Sequence, residues 1–389
     1  MYKVKTFNAI SEKGLSRFDA DKYVVSPEQD SPDAYILRSH KLHDEVIPGS
    51  VLAIARAGAG VNNVPVDRCS EQGIVVFNTP GANANAVKEL VITGMLMACR
   101  DISGGVAFCR GLTDMTDDAE MAKLLESSKK NFAGSELKGK TLGVIGLGAI
   151  GAMVANVALE LGMNVVGYDP AISVEAAWRL SSLVEKMDSL EALMGRADFI
   201  TLHVPAIEAT HHLINEQRLS LCKKGTVLLN FARESIVDNA AVLKALDAGK
   251  LRKYVTDFPT AELVARDDVV PMPHLGASTA EAEENCALMA VDQLKDYLEN
   301  GNIKNSVNYP TAHMPRMGQS RITFSNQNVP KVLGNVLSIL ADGNINVADM
   351  LNRSRGDLAY NIIDVETEVS EDLQAKISTV EGVVKVRVI

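Results

Sequence analysis

The stretch Thr141-Leu-Gly-Val-Ile-Gly-Leu-Gly-Ala-Ile-Gly151 decides the fold of this chain. Its first five residues form an apolar run typical of a buried strand, three glycines follow in the pattern GxGxxG, and a helix is predicted over 153–161. Gly146 allows a tight turn, Gly148 lets a phosphate group approach the backbone, and Gly151 lets the helix pack closely on the strand. Because the free N–H groups at the start of such a helix bind phosphates, the stretch predicts a dinucleotide site in an α/β fold.

An acidic residue, Asp169, indicates which dinucleotide binds. It follows the next predicted strand, 164–168, and lies 18 positions beyond Gly151. A carboxylate at this place accepts hydrogen bonds from the ribose hydroxyls and repels a 2′-phosphate, so NAD is favoured over NADP. Two alternatives stay open: a glycine turn that binds no ligand, and an FAD site, although FAD sites of this type usually open at the N-terminus of a chain.

The composition limits the other partners. The chain has 389 residues, 47% of them hydrophobic, and a net charge of −10, so it can bury a large core but is repelled by nucleic acid and by anionic membranes. The first residues lack the apolar run of a signal peptide, and no stretch approaches the roughly 20 apolar residues of a membrane span. The five cysteines lack a CxxC pair or metal-ligand spacing, which predicts reduced thiols, a cytoplasmic protein and no metal site.

Strands and helices alternate on both sides of the fingerprint. Apolar runs within 1–80 suit parallel strands that helices cover on both faces. Further strands are predicted at 141–145, 164–168, 199–203, 227–230, 254–257 and 269–272. Two long helices, about 84–105 and 278–300, would join two lobes. We therefore predict two Rossmann-like, doubly wound parallel-sheet lobes, a discontinuous substrate lobe of 1–83 and 279–310 and an NAD-binding domain of 84–278.

The end of the chain has a different pattern. After a linker, 311–320, the order is strand, helix, strand, strand, helix and strand. These elements are predicted at 321–325, 330–341, 345–353, 358–367, 371–379 and 383–389. This βαββαβ order is ferredoxin-like. Because a unit of this size has a thin core, we expect it to pair with a second copy, giving a homodimer or a homotetramer.

Three motifs resemble the signatures of the D-2-hydroxyacid dehydrogenases: Asn230-Phe-Ala-Arg-Glu-Ser-Ile-Val-Asp238, Val255-Thr-Asp-Phe-Pro259 and Pro273-His-Leu-Gly-Ala-Ser-Thr279. Within that family, members that act on 3-phosphoglycerate resemble this chain at three further features. These are Leu37-Arg-Ser39, Ala57-Gly-Ala-Gly-Val-Asn-Asn63 with Asn78-Thr-Pro80, and the last unit, which is similar to an ACT domain. The resemblance implies that the chain oxidises D-3-phosphoglycerate with NAD to 3-phosphooxypyruvate, the first step of L-serine biosynthesis.

The resemblance also implies a catalytic set of three residues. His274 would take the hydroxyl proton of the substrate, and Glu262 would orient its ring and stabilise its protonated form. Arg233 would bind the substrate carboxylate and polarise the carbonyl in the reverse direction. Glu262 departs from the family pattern because no proline follows it. Asp267 or Asp268 is the alternative partner of the histidine.

Residues that contact the cofactor and the substrate follow from the same resemblance. Asp257 falls on the position that contacts the nicotinamide end. The expected cofactor contacts are Gly146, Gly148, Ala149, Ile150, Gly151, Asp169, Val204, Phe231, Asp257, Gly276 and Ala277. The expected substrate contacts are Arg38, Ser39, Ala59, Gly60 and Asn83. Arg38 and Ser39 would bind the phosphate, and backbone N–H groups near 59–60 would bind the carboxylate.

Two positions depart from the relatives. His40 stands where some carry another basic residue, and Ala59 replaces a hydroxylated one. Arg56 or the pair Lys129-Lys130 could supply the missing charge, although a solvated surface is the alternative for the lysines.

The last unit could bind an amino acid. Asn326, Asn328 and Asn346 correspond to effector positions of serine-sensitive relatives, so L-serine is a candidate ligand. Turn residues and a helix cap are the alternative, and Asn326 replaces a histidine of the sensitive forms.

Two other functions also stay open: a dehydrogenase for glycerate, lactate or 2-hydroxyglutarate, and a catalytically silent NAD(H)-sensing protein.

Overall fold

The computed structural model describes all residues from 1 to 389, and the chain folds into two compact units. The first unit comprises 1–83 and 280–389, and the second comprises 84–279. Each unit has its own hydrophobic cores. Those of the first unit form around residues such as Val4, Tyr35 and Ile322, and those of the second around residues such as Ile145 and Val91.

The first unit begins with a five-stranded parallel sheet in the order β2-β1-β3-β4-β5. Its strands are β1 (Tyr2–Phe7), β2 (Tyr23–Ser26), β3 (Ala34–Leu37), β4 (Ala53–Arg56) and β5 (Val75–Phe77), with the short helices α1 (Glu12–Leu15) and α2 (Val66–Glu71) between them. All four residues of β3 are buried, as expected for a strand covered on both faces. The prediction that apolar runs within 1–80 form parallel strands is therefore confirmed.

The second unit holds a seven-stranded parallel sheet in the order β12-β11-β10-β9-β6-β7-β8. Its strands are β6 (Thr141–Ile145), β7 (Asn164–Tyr168), β8 (Glu185–Lys186), β9 (Phe199–Leu202), β10 (Thr226–Asn230), β11 (Leu251–Thr256) and β12 (Val269–Pro271). Its helices are α3 (Ala84–Cys99), α4 (Ile102–Arg110), α5 (Asp118–Ser128), α6 (Ala149–Glu160), α7 (Val174–Arg179), α8 (Leu190–Arg196), α9 (Glu216–Ser220), α10 (Asn239–Asp247) and α11 (Ala261–Val264). The strand order reverses direction beside β6, which is the point where doubly wound sheets bind ligands.

One helix prediction is wrong. The helix expected over about 84–105 is two helices, since α3 ends at Cys99 and α4 begins at Ile102. Asp101 causes the break because its Oδ1 atom accepts a hydrogen bond from the Gly104 N–H at 3.0 Å and so caps α4. No single helix is both long and apolar enough to cross a bilayer; α3 and α4 pass that test only as a pair, and the chain bends by 72° between them.

The second long helix, α12 (Ala280–Asn300), packs on the first sheet. Its buried face, which includes Ala287, Val291 and Leu294, shares a core with residues of that sheet. The spacing of three and four residues between these side chains places them on one side of the helix. The prediction of a helix over 278–300 is confirmed to within two residues.

The end of the chain forms an antiparallel sheet in the order β14-β15-β13-β16. Its elements are β13 (Ser320–Gln327), α13 (Val332–Asp342), β14 (Val347–Arg355), β15 (Leu358–Val365), α14 (Glu371–Ser378) and β16 (Val383–Val388). One face, with Phe324 and Ile363, packs on the two helices, and the other, with Tyr360 and Ile362, joins the core of the first sheet. The predicted ferredoxin-like order is confirmed.

Candidate active site

The three glycines of the fingerprint differ in what surrounds them. Gly146 follows β6 with a φ of 90°, a left-handed conformation that side chains disfavour. A Cβ atom at Gly151 would collide with the backbone oxygen of Gly146, whereas one at Gly148 would meet no other atom within 4 Å. Gly146 and Gly151 therefore let the strand, the turn and α6 pack together, and the open space beside Gly148 fits the approach of a pyrophosphate.

Asp169 lies directly after β7, next to the glycine turn. Its Oδ2 atom accepts a hydrogen bond from the Leu147 N–H at 2.8 Å, and its Oδ1 atom accepts one from the Ala171 N–H at 2.9 Å. A carboxylate oxygen can accept more than one hydrogen bond, so the group retains capacity for ribose hydroxyls. The donors present fit an NAD molecule in this turn: Ala149 and Ile150 begin α6, whose N-terminal N–H groups are suited to phosphates.

The other predicted residues of this unit follow neighbouring strands. Because all these strands are parallel, their carboxyl ends lie at one edge of the sheet. Val204 follows β9, Phe231 and Arg233 follow β10, Asp257 follows β11 and His274 follows β12. The structure therefore brings the predicted cofactor residues and two catalytic candidates to the same edge as Gly146.

Asn230 shapes the turn that carries Arg233. Its side chain donates a hydrogen bond to the Arg233 carbonyl at 3.0 Å and accepts one from the Ala232 N–H at 3.1 Å. Asn230 is only 1% exposed, whereas the Arg233 side chain is exposed and can reach a ligand. Asn230 was not among the predicted functional residues, although it opens the first of the three family motifs.

Asp257 fixes the loop that carries His274. Its two carboxylate oxygens accept hydrogen bonds from the N–H groups of Leu275 and Gly276, both at 2.8 Å. The carboxylate is buried, and His274 has a φ of 55°, a left-handed conformation that needs such support. The exposed His274 ring stands edge-on to Phe258, with ring centroids 4.9 Å apart.

The predicted partner of His274 does not contact it. Glu262 lies in the short helix α11, is exposed and makes no hydrogen bond or ion pair with the ring. Of the two alternatives, Asp268 is held by two hydrogen bonds of 2.8 Å from Arg266, which hold the pKa of its carboxyl below the usual range. Asp267 is exposed and also makes no contact with the ring.

His203 has a different environment from His274. Its ring nitrogen Nε2 lies 2.9 Å from the Thr201 hydroxyl, and burial lowers the pKa of His203 to about 3. The ring therefore stays neutral at physiological pH, and a structural role suits it better than proton transfer.

The residues expected to bind the substrate phosphate lie at the carboxyl edge of the first sheet. Arg38 and Ser39 directly follow β3, and Arg56 ends β4, which pairs with β3. Arg56 donates a hydrogen bond from Nε to the Arg38 carbonyl at 3.0 Å. The Asn8 side chain accepts hydrogen bonds from the Ser39 and His40 N–H groups at 3.1 and 2.7 Å. Two guanidinium side chains therefore lie at the ends of adjacent strands. Hydrogen bonds from the Arg56 side chain and to the Asn8 side chain hold the backbone that follows β3.

The neighbouring loops join this edge. Asn78 donates a hydrogen bond from its side chain to the Ala59 carbonyl at 2.7 Å, and the Thr79 N–H donates to the Gly58 carbonyl at 3.0 Å. These bonds hold 57–60, including Gly60, beside the segment that leads to Asn83.

Lys129, by contrast, lies in a short helical turn after α5 and forms an exposed ion pair with Glu126, as expected for a solvated surface.

The His40 ring is held in place by contacts with two side chains. Its Nε2 atom lies 2.5 Å from a carboxylate oxygen of Glu45, and its ring stacks on Phe7 with centroids 4.5 Å apart. The ring is therefore fixed next to Ser39 by two neighbours.

The three asparagines proposed for an effector do not form one group within a chain. Asn326 and Asn328 lie at the end of β13, where Asn326 pairs with Ala359, whereas Asn346 precedes Val347, which pairs with Val365 at the other end of β15. The Asn326 side chain is buried and accepts a hydrogen bond from Asn361 at 2.7 Å. Within one chain, the three side chains therefore do not form a single binding site.

Comparison with known proteins identifies the family to which this chain is similar. The profile described as "D-isomer specific 2-hydroxyacid dehydrogenase, NAD binding domain" matches residues 103–276. The D-3-phosphoglycerate dehydrogenase of Escherichia coli (strain K12) is 30% identical over 408 aligned positions, which cover 99% of this chain and 95% of the relative. The D-3-phosphoglycerate dehydrogenase of Haemophilus influenzae is 31% identical, and the alignment covers 87% of this chain and 81% of the relative. The one from Methanocaldococcus jannaschii is 36% identical over 80% of this chain, which spans only 57% of that relative.

Solved structures share the fold. An NAD⁺-bound 3-phosphoglycerate dehydrogenase of Entamoeba histolytica matches 79% of this chain and 98% of its own with a TM-score of 0.60 and 26% identity. A D-mandelate dehydrogenase of Rhodotorula graminis matches 81% of this chain with a TM-score of 0.67 and 24% identity, which is a likeness of fold alone.

Proposed function

This chain belongs to the family of D-isomer specific 2-hydroxyacid dehydrogenases, and on that premise we propose that it oxidises D-3-phosphoglycerate with NAD⁺ to 3-phosphooxypyruvate and NADH, the first step of L-serine biosynthesis. The observation that carries the substrate assignment is the pair of guanidinium side chains, Arg38 and Arg56, on adjacent strand ends beside Ser39. Guanidinium groups are suited to phosphate, and glycerate and lactate have no second anion for them. Of the rival substrates only 2-hydroxyglutarate has one, a carboxylate with less charge than a phosphate.

In this proposal the residues of the second unit carry out the chemistry. His274 takes the proton of the substrate hydroxyl at a ring nitrogen, and Arg233 holds the carboxylate and orients C2. The cofactor site would supply NAD⁺ as the acceptor of the hydride from C2. Asp257 keeps the His274 loop in position through its two backbone contacts and contributes to the nicotinamide end of the cofactor site.

Glu262 is the proposed partner of His274 during the reaction. Catalytic hydrogen bonds are often long or poorly aligned before the substrate binds, so the separation of Glu262 from the ring does not exclude the role. Asp268 is a poorer candidate because Arg266 already occupies both of its oxygens.

Turnover with matched substrates tests the proposal. We expect NADH to form with D-3-phosphoglycerate and NAD⁺, and much more slowly with D-glycerate, D-lactate or D-2-hydroxyglutarate. A preference for an unphosphorylated acid would assign the chain to another dehydrogenase of the family.

A histidine variant separates an enzyme from a sensor. His274→Ala should lower kcat by about 100-fold or more while NADH still binds, because general acid–base catalysis contributes about that much. His313→Ala, which changes an exposed histidine elsewhere, is the matched control. A protein that only senses NAD(H) would show no turnover to lose.

We also propose a domain division, a homo-oligomer and an effector site. The division is a substrate lobe of 1–83 and 279–310, an NAD-binding domain of 84–278 and, after a linker of 311–320, an ACT-like domain of 321–389. Helices α4 and α5 support a homodimer or homotetramer because neither has a buried residue and Ile102 and Val106 are 46% and 45% exposed. L-serine would bind where Asn326 and Asn328 of one copy meet Asn346 of another. Mass in solution and activity with and without L-serine test these points.

A cytoplasmic location completes the proposal. Four of the five thiols are buried and none is in a disulfide, which suits a reducing compartment. Fractionation of the source cells would test it.

A further inference from the structure

A carboxylate, Glu283, already occupies the arginine that the proposed function assigns to the substrate phosphate. Arg38 Nη1 and Glu283 Oε1 lie 2.5 Å apart and form an ion pair. Glu283 lies in the first turn of α12, so it reaches the carboxyl edge of the first sheet from a different element. None of the family motifs described above includes this residue.

The backbone around Arg38 is held independently of Glu283. The Arg38 carbonyl accepts hydrogen bonds from Arg56 Nε at 3.0 Å and from Asn63 Nδ2 at 3.2 Å, and Asn63 also donates to the His40 carbonyl at 2.7 Å. The loop that carries the guanidinium therefore keeps its position without the ion pair.

The ion pair itself is open to water. The Arg38 side chain is 38% exposed and that of Glu283 is 43% exposed. Exposed pairs of this kind add little to stability, so their charges are available for another role. An anion can approach the same guanidinium from solvent, since the guanidinium has five N–H donors and the ion pair with Glu283 involves one nitrogen.

An anion bound to Arg38 would lie close to the Glu283 carboxylate. Two like charges separated by a single guanidinium repel each other, and a phosphate dianion feels this repulsion about twice as strongly as a monoanion. The carboxylate also cancels part of the charge of Arg38. A substrate without a distal anion would feel neither effect.

We propose that Glu283 is a specificity-determining residue that competes with the substrate phosphate for Arg38 and so limits how tightly phosphorylated substrates and products are held. The proposal rests on the proposed function for the identity of the substrate, and on the ion pair for the role of Glu283. The phosphate oxygens then bind Arg38 beside the Glu283 carboxylate and against its repulsion.

Substitution by glutamine isolates the charge. Glu283→Gln keeps the length of the side chain and an oxygen that can accept from Arg38, but removes the negative charge. We expect the KM for D-3-phosphoglycerate to fall about 5- to 10-fold, with the KM for D-glycerate changing less than twofold. Glu281→Gln is the matched control, because Glu281 is an exposed acid in the same helical turn and makes no ion pair.

A binding measurement without turnover separates this proposal from the proposed function. The thermal unfolding midpoint of the NADH-bound protein is measured at increasing concentrations of inorganic phosphate. A chloride series of equal ionic strength is the salt control. Glu283→Gln should bind phosphate about 5- to 10-fold more tightly than the wild type and the Glu281→Gln control, even if the protein turns over no phosphoglycerate. Unchanged or weaker phosphate binding in Glu283→Gln would overturn the proposal, and weaker binding would assign Glu283 a role in orienting Arg38.

Discussion

Asp257 performs a mechanical task that the sequence motif does not reveal. Both of its oxygens are bonded to backbone N–H groups of the loop that carries His274, and the carboxylate is 2% exposed. A buried carboxylate that accepts two N–H groups is suited to holding a strained backbone, because each bond to a charged acceptor is stronger than a neutral one. The general base of the proposed reaction therefore depends on a residue that does not touch the substrate proton.

Removing the charge of Asp257 should disturb the loop. In Asp257→Asn one of the two N–H groups would face an NH₂ group instead of an oxygen, leaving a buried donor unpaired at a cost of about 1–3 kcal/mol. We expect kcat to fall by about 10-fold or more. The free energy of unfolding should fall by about 1–3 kcal/mol. Steady-state kinetics and denaturant unfolding measure the two effects. Asp267→Asn, at an exposed acid, is the control, and a kcat within twofold of wild type would contradict the role.

Asp268 gives a prediction for acidic pH. Its pKa is lowered by two hydrogen bonds from Arg266, so the ionised carboxylate is favoured in the folded chain. The resulting stability is fully present above the usual carboxyl pKa, near 4, and is lost as the pH falls through the lower folded value. Asp268→Asn should lower the free energy of unfolding by about 0.5–1 kcal/mol at pH 7, because the pair is partly exposed. The difference from wild type should shrink as the pH falls below the usual carboxyl pKa, near 4; a constant difference across this range would refute the assignment.

At the scale of elements, the sequence predicted the strands that are apolar on both faces. The predicted and observed ends of β6 and β7 coincide, and β9 to β12 differ by a few residues. β1 was not predicted because its pattern, Tyr-Lys-Val-Lys-Thr-Phe, alternates lysines with apolar residues, although it lies inside the sheet. β8 has only two residues, both exposed, and leaves no apolar signal.

The candidate site was predictable where a motif names a residue at a strand end. Arg233, Asp257 and His274 follow three neighbouring strands at one sheet edge. The contact between Arg38 and Glu283 was not predictable, because it joins positions more than 200 residues apart through the packing of α12 on the first sheet. The separation of Glu262 from His274 also depends on how α11 is placed, which sequence spacing does not determine.

The strand–turn–helix unit of the fingerprint supports a paired prediction. Gly151→Ala would press a methyl group against the Gly146 backbone, which has no flexible side chain to move, whereas Gly148→Ala adds one in open space at an ordinary φ of −67°. Gly151→Ala should destabilise the second unit by about 1–3 kcal/mol or prevent folding. Gly148→Ala should fold normally and bind NADH about 10-fold or more weakly, because its methyl group would displace the pyrophosphate.

Thermal unfolding and NADH titration of both variants measure these effects. Normal NADH affinity in Gly148→Ala would contradict the placement of the pyrophosphate at this turn. Normal stability in Gly151→Ala would contradict the close packing of the turn on α6.

At the scale of the whole molecule, the C-terminal sheet is attached to the rest of the first unit by polar contacts to backbone carbonyls. Arg387 donates to the carbonyls of Tyr297 and Leu298 at 3.2 and 2.8 Å, and Lys385 donates to that of Val51 at 2.8 Å. The Tyr360 hydroxyl donates to the Gly301 carbonyl at 2.8 Å. Carbonyls at the end of a helix have no intrahelical partner, so α12 offers acceptors at the place where the sheet lies.

Arg321 is the centre of this attachment. It forms two hydrogen bonds with Asp364, of 2.6 and 2.8 Å, and donates to the carbonyls of Asn300, Met314 and Pro315, with both side chains of the ion pair fully buried. Breaking a buried pair from one side leaves an uncompensated charge, whereas replacing both members with apolar groups removes that penalty. The pair therefore matters because each charge requires the other.

Variants of this ion pair test whether the two units unfold separately. Arg321→Ala should lower the stability of the first unit by about 3–5 kcal/mol, and Arg321→Met combined with Asp364→Leu should restore part of it. Lys376→Ala, in an exposed pair with Asp372, should cost about 0.5 kcal/mol or less. The fingerprint and its cores lie in the second unit. When NADH binding is monitored during denaturant unfolding of Arg321→Ala, we therefore expect an early transition that leaves the NADH site intact. Loss of NADH binding in the same early transition would show that the two units unfold as one.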